Sequence, residues 1–122
     1  MHDILEPRHH IIDYVESASA DPQAMCDFFE STLGWSFECF GPDCIAFHGA
    51  GLEGGIYCAD MASRSADRGA LIVFYSCDFE ASEALVLSHG ASIIKPVFDF
   101  PGGRRFQFAE PTGNEFAFWS KV

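Results

Sequence analysis

Residues 21–35 read DPQAMCDFFESTLGW, and residues 78–90 read DFEASEALVLSHG. Both stretches open on an aspartate and end at a glycine. In the first, Asp21 offers a side-chain acceptor to the free N–H groups of a helix start, and Pro22 fills the first helical position. Met25, Phe28, Phe29 and Leu33 then recur at helical spacing, and Gly34 stands where a left-handed C-cap belongs. In the second, Asp78 caps a helix carrying Ala81, Ala84 and Leu85, which ends at His89-Gly90.

Strand-like runs flank both helices in the same order. Residues 11–17 (IIDYVES) form a strand before the first helix, rich in β-branched and aromatic side chains. Trp35–Phe40, Cys44–His48 and Gly55–Ala59 follow it, separated by the turns Gly41-Pro42-Asp43 and Gly49–Gly54. Met61–Gly69 is polar and reads as a linker. The pattern then restarts with Leu71–Cys77, the second helix, and the strands Ser92–Val97, Arg104–Phe108 and Glu115–Ser120. The two series superpose at an offset of about 57 residues, so Gly34 matches Gly90. The hairpin before Ile56 likewise matches Pro111-Thr112-Gly113-Asn114. A duplicated supersecondary unit is expected.

Bulk properties narrow the partners. At 122 residues the chain is one domain by length, or two small modules sharing a core. Apolar residues make up 48%, thirteen of them Phe, enough for a broad core or an aromatic-lined pocket. The net charge of −11, from 18 acidic and 7 basic residues, repels phosphate backbones, so nucleic acid is not expected as a partner. It favours solubility and would attract cationic small molecules. Met1–His10 lacks the apolar stretch of a secretory signal, and no apolar run is long enough to span a membrane. The five cysteines contain no CxxC and read as buried or part-buried thiols of a reduced cytoplasm. None has an adjacent His or Lys to activate it.

The order βαβββ-βαβββ, with DP…FF…LGW in residues 21–35 and FPGGRRFQFAEPTGNEFAFW in residues 100–119, resembles the vicinal oxygen chelate superfamily. This is the group of glyoxalases, bleomycin-resistance proteins and dioxygenases, and the small glyoxalase-like members are the most similar. The likeness covers about residues 9–121. Phe29 stands where Tyr is usual, and Glu110 stands before Pro111 where Asp is usual. The resemblance implies an α+β fold of two tandem βαβββ modules forming a concave mixed sheet. Residues 1–122 would be a single domain, with module one at about 9–60, a linker at 61–69 and module two at about 70–121. It also implies a homodimer.

Metal-dependent members of the family hold a divalent cation with His and Glu side chains from four strands, and use it as a Lewis acid. The resemblance puts those positions at Tyr14, Tyr57, Ile72 (or Leu71) and Ala117. Phenols bind divalent cations poorly and aliphatic side chains not at all, so no metal and no other cofactor is expected. Strand alternation then puts Val15, Ile56, Cys58, Leu71, Val73, Phe116 and Phe118 on a helix-covered face. Tyr14, Glu16, Tyr57, Ala59, Phe74, Glu115 and Trp119 fall on the cavity face, a mixture suited to a small-molecule pocket.

Glu16 and Glu115 are the candidate catalytic residues, since a carboxylate among aromatic rings can act as a general base. With His48 they could also recruit a metal by a non-standard route. The competing reading puts them at strand ends in solvent, or paired with Arg104 and Arg105. Those arginines, in the Pro101–Arg105 loop, are in turn candidates for holding a ligand carboxylate. The ligand-binding set is therefore Tyr14, Glu16, Tyr57, Phe74, Arg104, Arg105, Glu115 and Trp119. Gly49–Gly54 matches GxGxxG, but a strand follows it, so it reads as a hairpin loop. His9-His10 reads as an exposed pair, and His89 as a helix-end residue. No nucleophilic triad is spaced along the chain.

Three functions stay open. The first is a cytoplasmic, metal-free binder of a small organic molecule, as bleomycin-resistance proteins are. The second is a glyoxalase- or lyase-type enzyme using a non-standard metal site or a glutamate base. The third is a protein-interaction module whose cavity is filled.

Overall fold

The Asp21 carboxylate accepts the Ala24 N–H at 3.2 Å, and Asp78 accepts that of Ala81 at 3.3 Å. In a computed structural model describing residues 6–41 and 44–121, these caps begin α1 (Pro22–Leu33) and α2 (Phe79–Ser88). Each cap is braced by the preceding strand. The Ser19 hydroxyl accepts the Asp21 N–H at 3.1 Å, and Ser76 accepts that of Asp78 at 3.0 Å. Gly34 ends α1 with φ +73°, a conformation side chains rarely adopt. The duplication is thus visible in hydrogen bonds.

The chain divides into two compact units, Met1–Met61 and Ala62–Val122. The first holds β1 (Tyr14–Ser19), β2 (Ser36–Cys39), β3 (Cys44–His48) and β4 (Glu53–Cys58), in the order β1-β4-β3-β2. The second holds β5 (Ile72–Tyr75), β6 (Ser92–Phe100), β7 (Gly103–Ala109) and β8 (Glu115–Lys121), in the order β5-β8-β7-β6. In each, the first strand runs parallel to the fourth and the other pairs are antiparallel. Both units are therefore βαβββ.

Aromatic side chains fill the layer beneath each sheet. In the first unit Trp35 stacks between Phe29 and Phe47, at centroid distances of 4.1 and 4.6 Å. Phe106, Phe108, Phe116 and Phe118 form a continuous stack in the second. Eight of the thirteen Phe are buried, so most of the aromatic content is core. Gly54 makes one close approach possible: a Cβ there would overlap the Phe47 ring and the Val15 carbonyl.

Several boundaries move for physical reasons. β1 starts at Tyr14 because its partner β4 starts opposite, at Glu53, which leaves Ile11 and Ile12 outside the ladder and exposed. Trp35 precedes β2 and turns into the core. β6 runs on to Phe100 as an edge strand, with register shifts that accommodate Pro96. Residues 49–52 are a hairpin loop between β3 and β4, with Gly49 and Gly51 at positive φ. Pro42 and Asp43 of the expected turn, and Met1–Leu5, lie outside the described residues.

Two expectations need correction. The 61–69 stretch contains a short 3-10 turn, Ser65–Asp67, and is tied to the second unit. The Ser63 N–H donates to Asn114 Oδ1 at 2.7 Å, and the Glu115 N–H donates to the Ser63 carbonyl at 2.8 Å. Of the cysteines only Cys26 is buried; Cys39, Cys44, Cys58 and Cys77 are exposed. Three of these four sit at strand termini and Cys77 in the turn before α2, where a small thiol has nothing to bury it.

Candidate functional site

Each sheet has one face under its helix layer and one open face, and the registers show which residues share the open one. In the first sheet Tyr14 lies beside Glu53, Glu16 beside Gly55, and both Ala18 and Cys44 beside Tyr57. The Tyr14 hydroxyl donates to Glu16 Oε2 at 3.1 Å. Its ring crosses Gly55, where a Cβ would overlap the phenol oxygen. Burial first, and then the Glu16 hydrogen bond and charge, raise the Tyr14 phenol above its ordinary value, so it remains a neutral donor. Tyr14, Glu16 and Tyr57 thus share one face of the first sheet, with Tyr57 further along the strands, opposite Ala18.

His48 ends β3 on the same side. Its Nδ1 lies 3.0 Å from Glu53 Oε1, and its Nε2 lies 3.5 Å from Glu38 Oε1. Neither Glu38 nor Glu53 emerges as a site residue from the sequence. Only the β2–β3–β4 pairing brings both carboxylates to one imidazole.

The second sheet is built alike but carries different chemistry. Tyr75 and Arg105 both lie beside Trp119, while Val73 and Gln107 lie beside Ala117. The Tyr75 and Trp119 rings meet edge to face at 4.8 Å. Val73, Phe100, Arg105 and Trp119 line a hollow of about 200 Å³. Arg105 Nη2 donates to Gln107 Oε1 at 3.2 Å. Phe98 carries two cations, with Arg105 Cζ at 5.3 Å and Lys95 Nζ at 4.2 Å from its ring centroid.

Three expected site residues turn out otherwise. Phe74 stacks on Phe116 at 5.5 Å and faces the helix layer, so β5 is out of phase by one residue with the expected alternation. Val73 and Tyr75 take the open side instead, because the parallel register aligns Ile72 with Phe116 and Phe74 with Phe118. Arg104 and Arg105 are adjacent in a strand and so point to opposite faces. Arg104 joins the helix side, where Nη2 meets Glu80 Oε2 at 2.5 Å and the guanidinium lies over Phe79.

Glu115 is buried and engaged on every side. It accepts the Ser65 N–H at 2.8 Å, the Ser65 hydroxyl at 2.9 Å and the Gln107 amide at 2.6 Å, with Arg64 Nε at 3.7 Å. Burial would raise its carboxyl, but Ser65, Gln107 and Arg64 together hold it below its ordinary value of 4.5. A general base needs the opposite shift. Its evident work is to fasten the 3-10 turn onto β8.

Because Ser19 and Ser76 occupy matching cap positions, the registers equate Glu16 with Val73, Gly55 with Ala117, Tyr57 with Trp119 and Cys44 with Arg105. If Ala117 is a family metal position, its counterpart is Gly55, two residues before Tyr57. Neither Gly55 nor Ala117 has a side-chain donor for a divalent cation. Among the described residues, no group of three or more His, Cys, Asp or Glu is placed to hold a metal ion; around His48 the two carboxylates engage opposite ring nitrogens and do not share a coordination point.

The family model of the Glyoxalase/Bleomycin resistance protein/Dioxygenase superfamily matches residues 11–118. The chain belongs to this superfamily. Solved structures agree on the fold. A glyoxalase-related enzyme from Fulvimarina pelagi superposes with a TM-score of 0.74 at 13% identity, over 92% of this chain and 88% of that one. A lactoylglutathione lyase from Agrobacterium tumefaciens gives 0.69 at 15%, over 93% and 95%. An antibiotic-binding protein from a Streptomyces, TnmS3, gives 0.67 at 14%, over 96% and 100%. No curated protein is significantly similar in sequence. Among the described residues, no helix is long and apolar enough to cross a membrane.

Proposed function

We propose that this glyoxalase-like protein binds a small organic molecule against the open faces of its sheets, without the divalent cation used by metal-dependent relatives. The observation that carries this reading is the hollow of Val73, Phe100, Arg105 and Trp119, in which aromatic walls meet a cation. Tyr14, Glu16 and Tyr57 supply a comparable mixture of rings and acid on the first sheet. Both match the make-up of small-molecule sites, which are mostly apolar with a few placed polar groups. The Streptomyces antibiotic-binding protein is a precedent for binding on this fold. We also propose a cytoplasmic location and a homodimer, the latter to be tested by light scattering of the purified protein.

A fragment screen read by thermal shift, with and without a chelator, tests the binding. The reading expects stabilising hits that survive chelation and are lost in Trp119→Ala. Hits that require added metal would overturn it.

An enzymatic reading of the lyase or glyoxalase kind rests on Glu16, which meets the Tyr14 hydroxyl on an open face. Glu115, saturated by donors, does not support it. Turnover of any confirmed ligand that disappears in Glu16→Gln would favour this reading.

A further inference from the structure

The net charge of −11 conceals an uneven distribution. Residues 1–61 contain eleven acidic residues and one basic, whereas residues 62–122 contain seven acidic and six basic. Nearly all the negative charge therefore belongs to the first unit. Two of the six basic residues of the second unit lie together on the open face of its sheet. Lys95 and Arg105 share one aromatic ring there, and among the described residues neither has a carboxylate within ion-pairing distance. The neighbouring Arg104 is paired with Glu80, so the lack of a partner belongs to the open face and not to the loop.

Arg105 is also incompletely used. One Nη donates to Gln107, while its Nε is buried and has no hydrogen-bond partner among the described residues. A buried donor without an acceptor is costly, and a guanidinium edge is shaped for the two oxygens of a carboxylate. Beside it, Phe100 and Trp119 meet at 64° with centroids 6.1 Å apart, forming an aromatic corner. A hollow of about 200 Å³ is small for a drug-sized ligand and suits one ring or two fused rings.

Resting on the small-molecule reading above, we infer that this hollow takes a planar aromatic carboxylate. The ring stands in the corner of Phe100 and Trp119 against Val73, and the carboxylate lies on the free edge of Arg105. Lys95 adds attraction at longer range. The preference is opposite to the one suggested by the net charge of the whole chain.

Three probes of one shape test it by calorimetry on the full chain: 2-naphthoate, the neutral 2-naphthamide and the cationic 2-naphthylmethylamine. Naphthoate should bind at least about tenfold more tightly than naphthamide, and the amine most weakly. Arg105→Gln should remove the preference for naphthoate over naphthamide, bringing the two to similar affinities, while Arg105→Lys should restore part of the difference. Should Arg105→Gln fail to fold, the wild-type protein still decides. Its naphthoate affinity, but not its naphthamide affinity, should fall as salt rises from about 20 to 200 mM. Equal binding of the acid and the amide, or tighter binding of the amine, overturns the carboxylate assignment. If Trp119→Ala still abolishes binding in that case, the open face remains a small-molecule site and only the ligand class is wrong. If no probe is sensitive to Trp119→Ala, both readings fall.

Discussion

The two modules share a backbone and differ in what they show to solvent. Ser19 and Asp21 repeat as Ser76 and Asp78, with the same hydrogen bonds at the start of each helix. On the open faces, by contrast, Glu16 faces outward where its counterpart is Val73, and Cys44 where its counterpart is Arg105. Caps and glycine turns answer to backbone geometry, which any copy of the motif must satisfy. Open-face residues answer only to what binds there. The repeat has kept the first set and altered the second, which is where a binding function would leave its mark.

Paired substitutions can break this comparison. The largest effects should come from the cores, where Phe29 and Phe106 are both fully buried. Phe29→Ala and Phe106→Ala should each cost about 3–5 kcal/mol in denaturant unfolding. A large loss in one module and a negligible one in the other would show that the repeats do not share the work of stability.

The fourth strand of each module begins with a glutamate, and these should differ in effect. Glu115 serves Ser65, Gln107 and Arg64, whereas Glu53 serves His48. Glu115→Gln should cost about 2 kcal/mol, since hydrogen bonds to a charged group are lost from a buried site. The folded Glu115 carboxyl is held below its ordinary value of 4.5. Its stabilisation is therefore present above that value and lost as pH falls through the lower folded value. Acid titration of stability should show this loss in the wild type and a flatter curve in Glu115→Gln.

The smallest effects test the likeness itself. Asp21→Ala and Asp78→Ala each remove one N-cap and should each cost about 1 kcal/mol, measured as paired melting curves. Unequal losses would mean that the matching hydrogen bonds do not carry matching weight.

Much of the fold is legible in the sequence because local chemistry specifies it. Asp21-Pro22, Gly34 and Asp78 mark the helix ends without reference to anything distant, and the resemblance supplies the strand order. The open faces are legible only where alternation is anchored. It works for Tyr14, Glu16 and Tyr57, but in β5 the run Leu71-Ile-Val-Phe-Tyr75 is apolar at every position and gives no phase. The parallel register with β8 decides it, and turns Phe74 inward. Glu115 misleads for a related reason. Two of its polar partners, Ser65 and Arg64, lie some fifty residues away in a stretch that looks like a linker. His48, Glu38 and Glu53 meet only through cross-strand pairing, which no spacing in the chain announces.

The central claim is that the open face of the second sheet receives a small molecule directly, with no cation between them. Titrating 2-naphthoate into isotopically labelled protein, in the presence of a chelator, tests this through backbone and indole amide shifts. The account predicts saturable movement of the Trp119 indole together with the Val73, Phe100 and Arg105 amides. Shifts centred on Tyr14, Glu16 and Tyr57 instead, or movement at Trp119 only after a divalent cation is added, would contradict it.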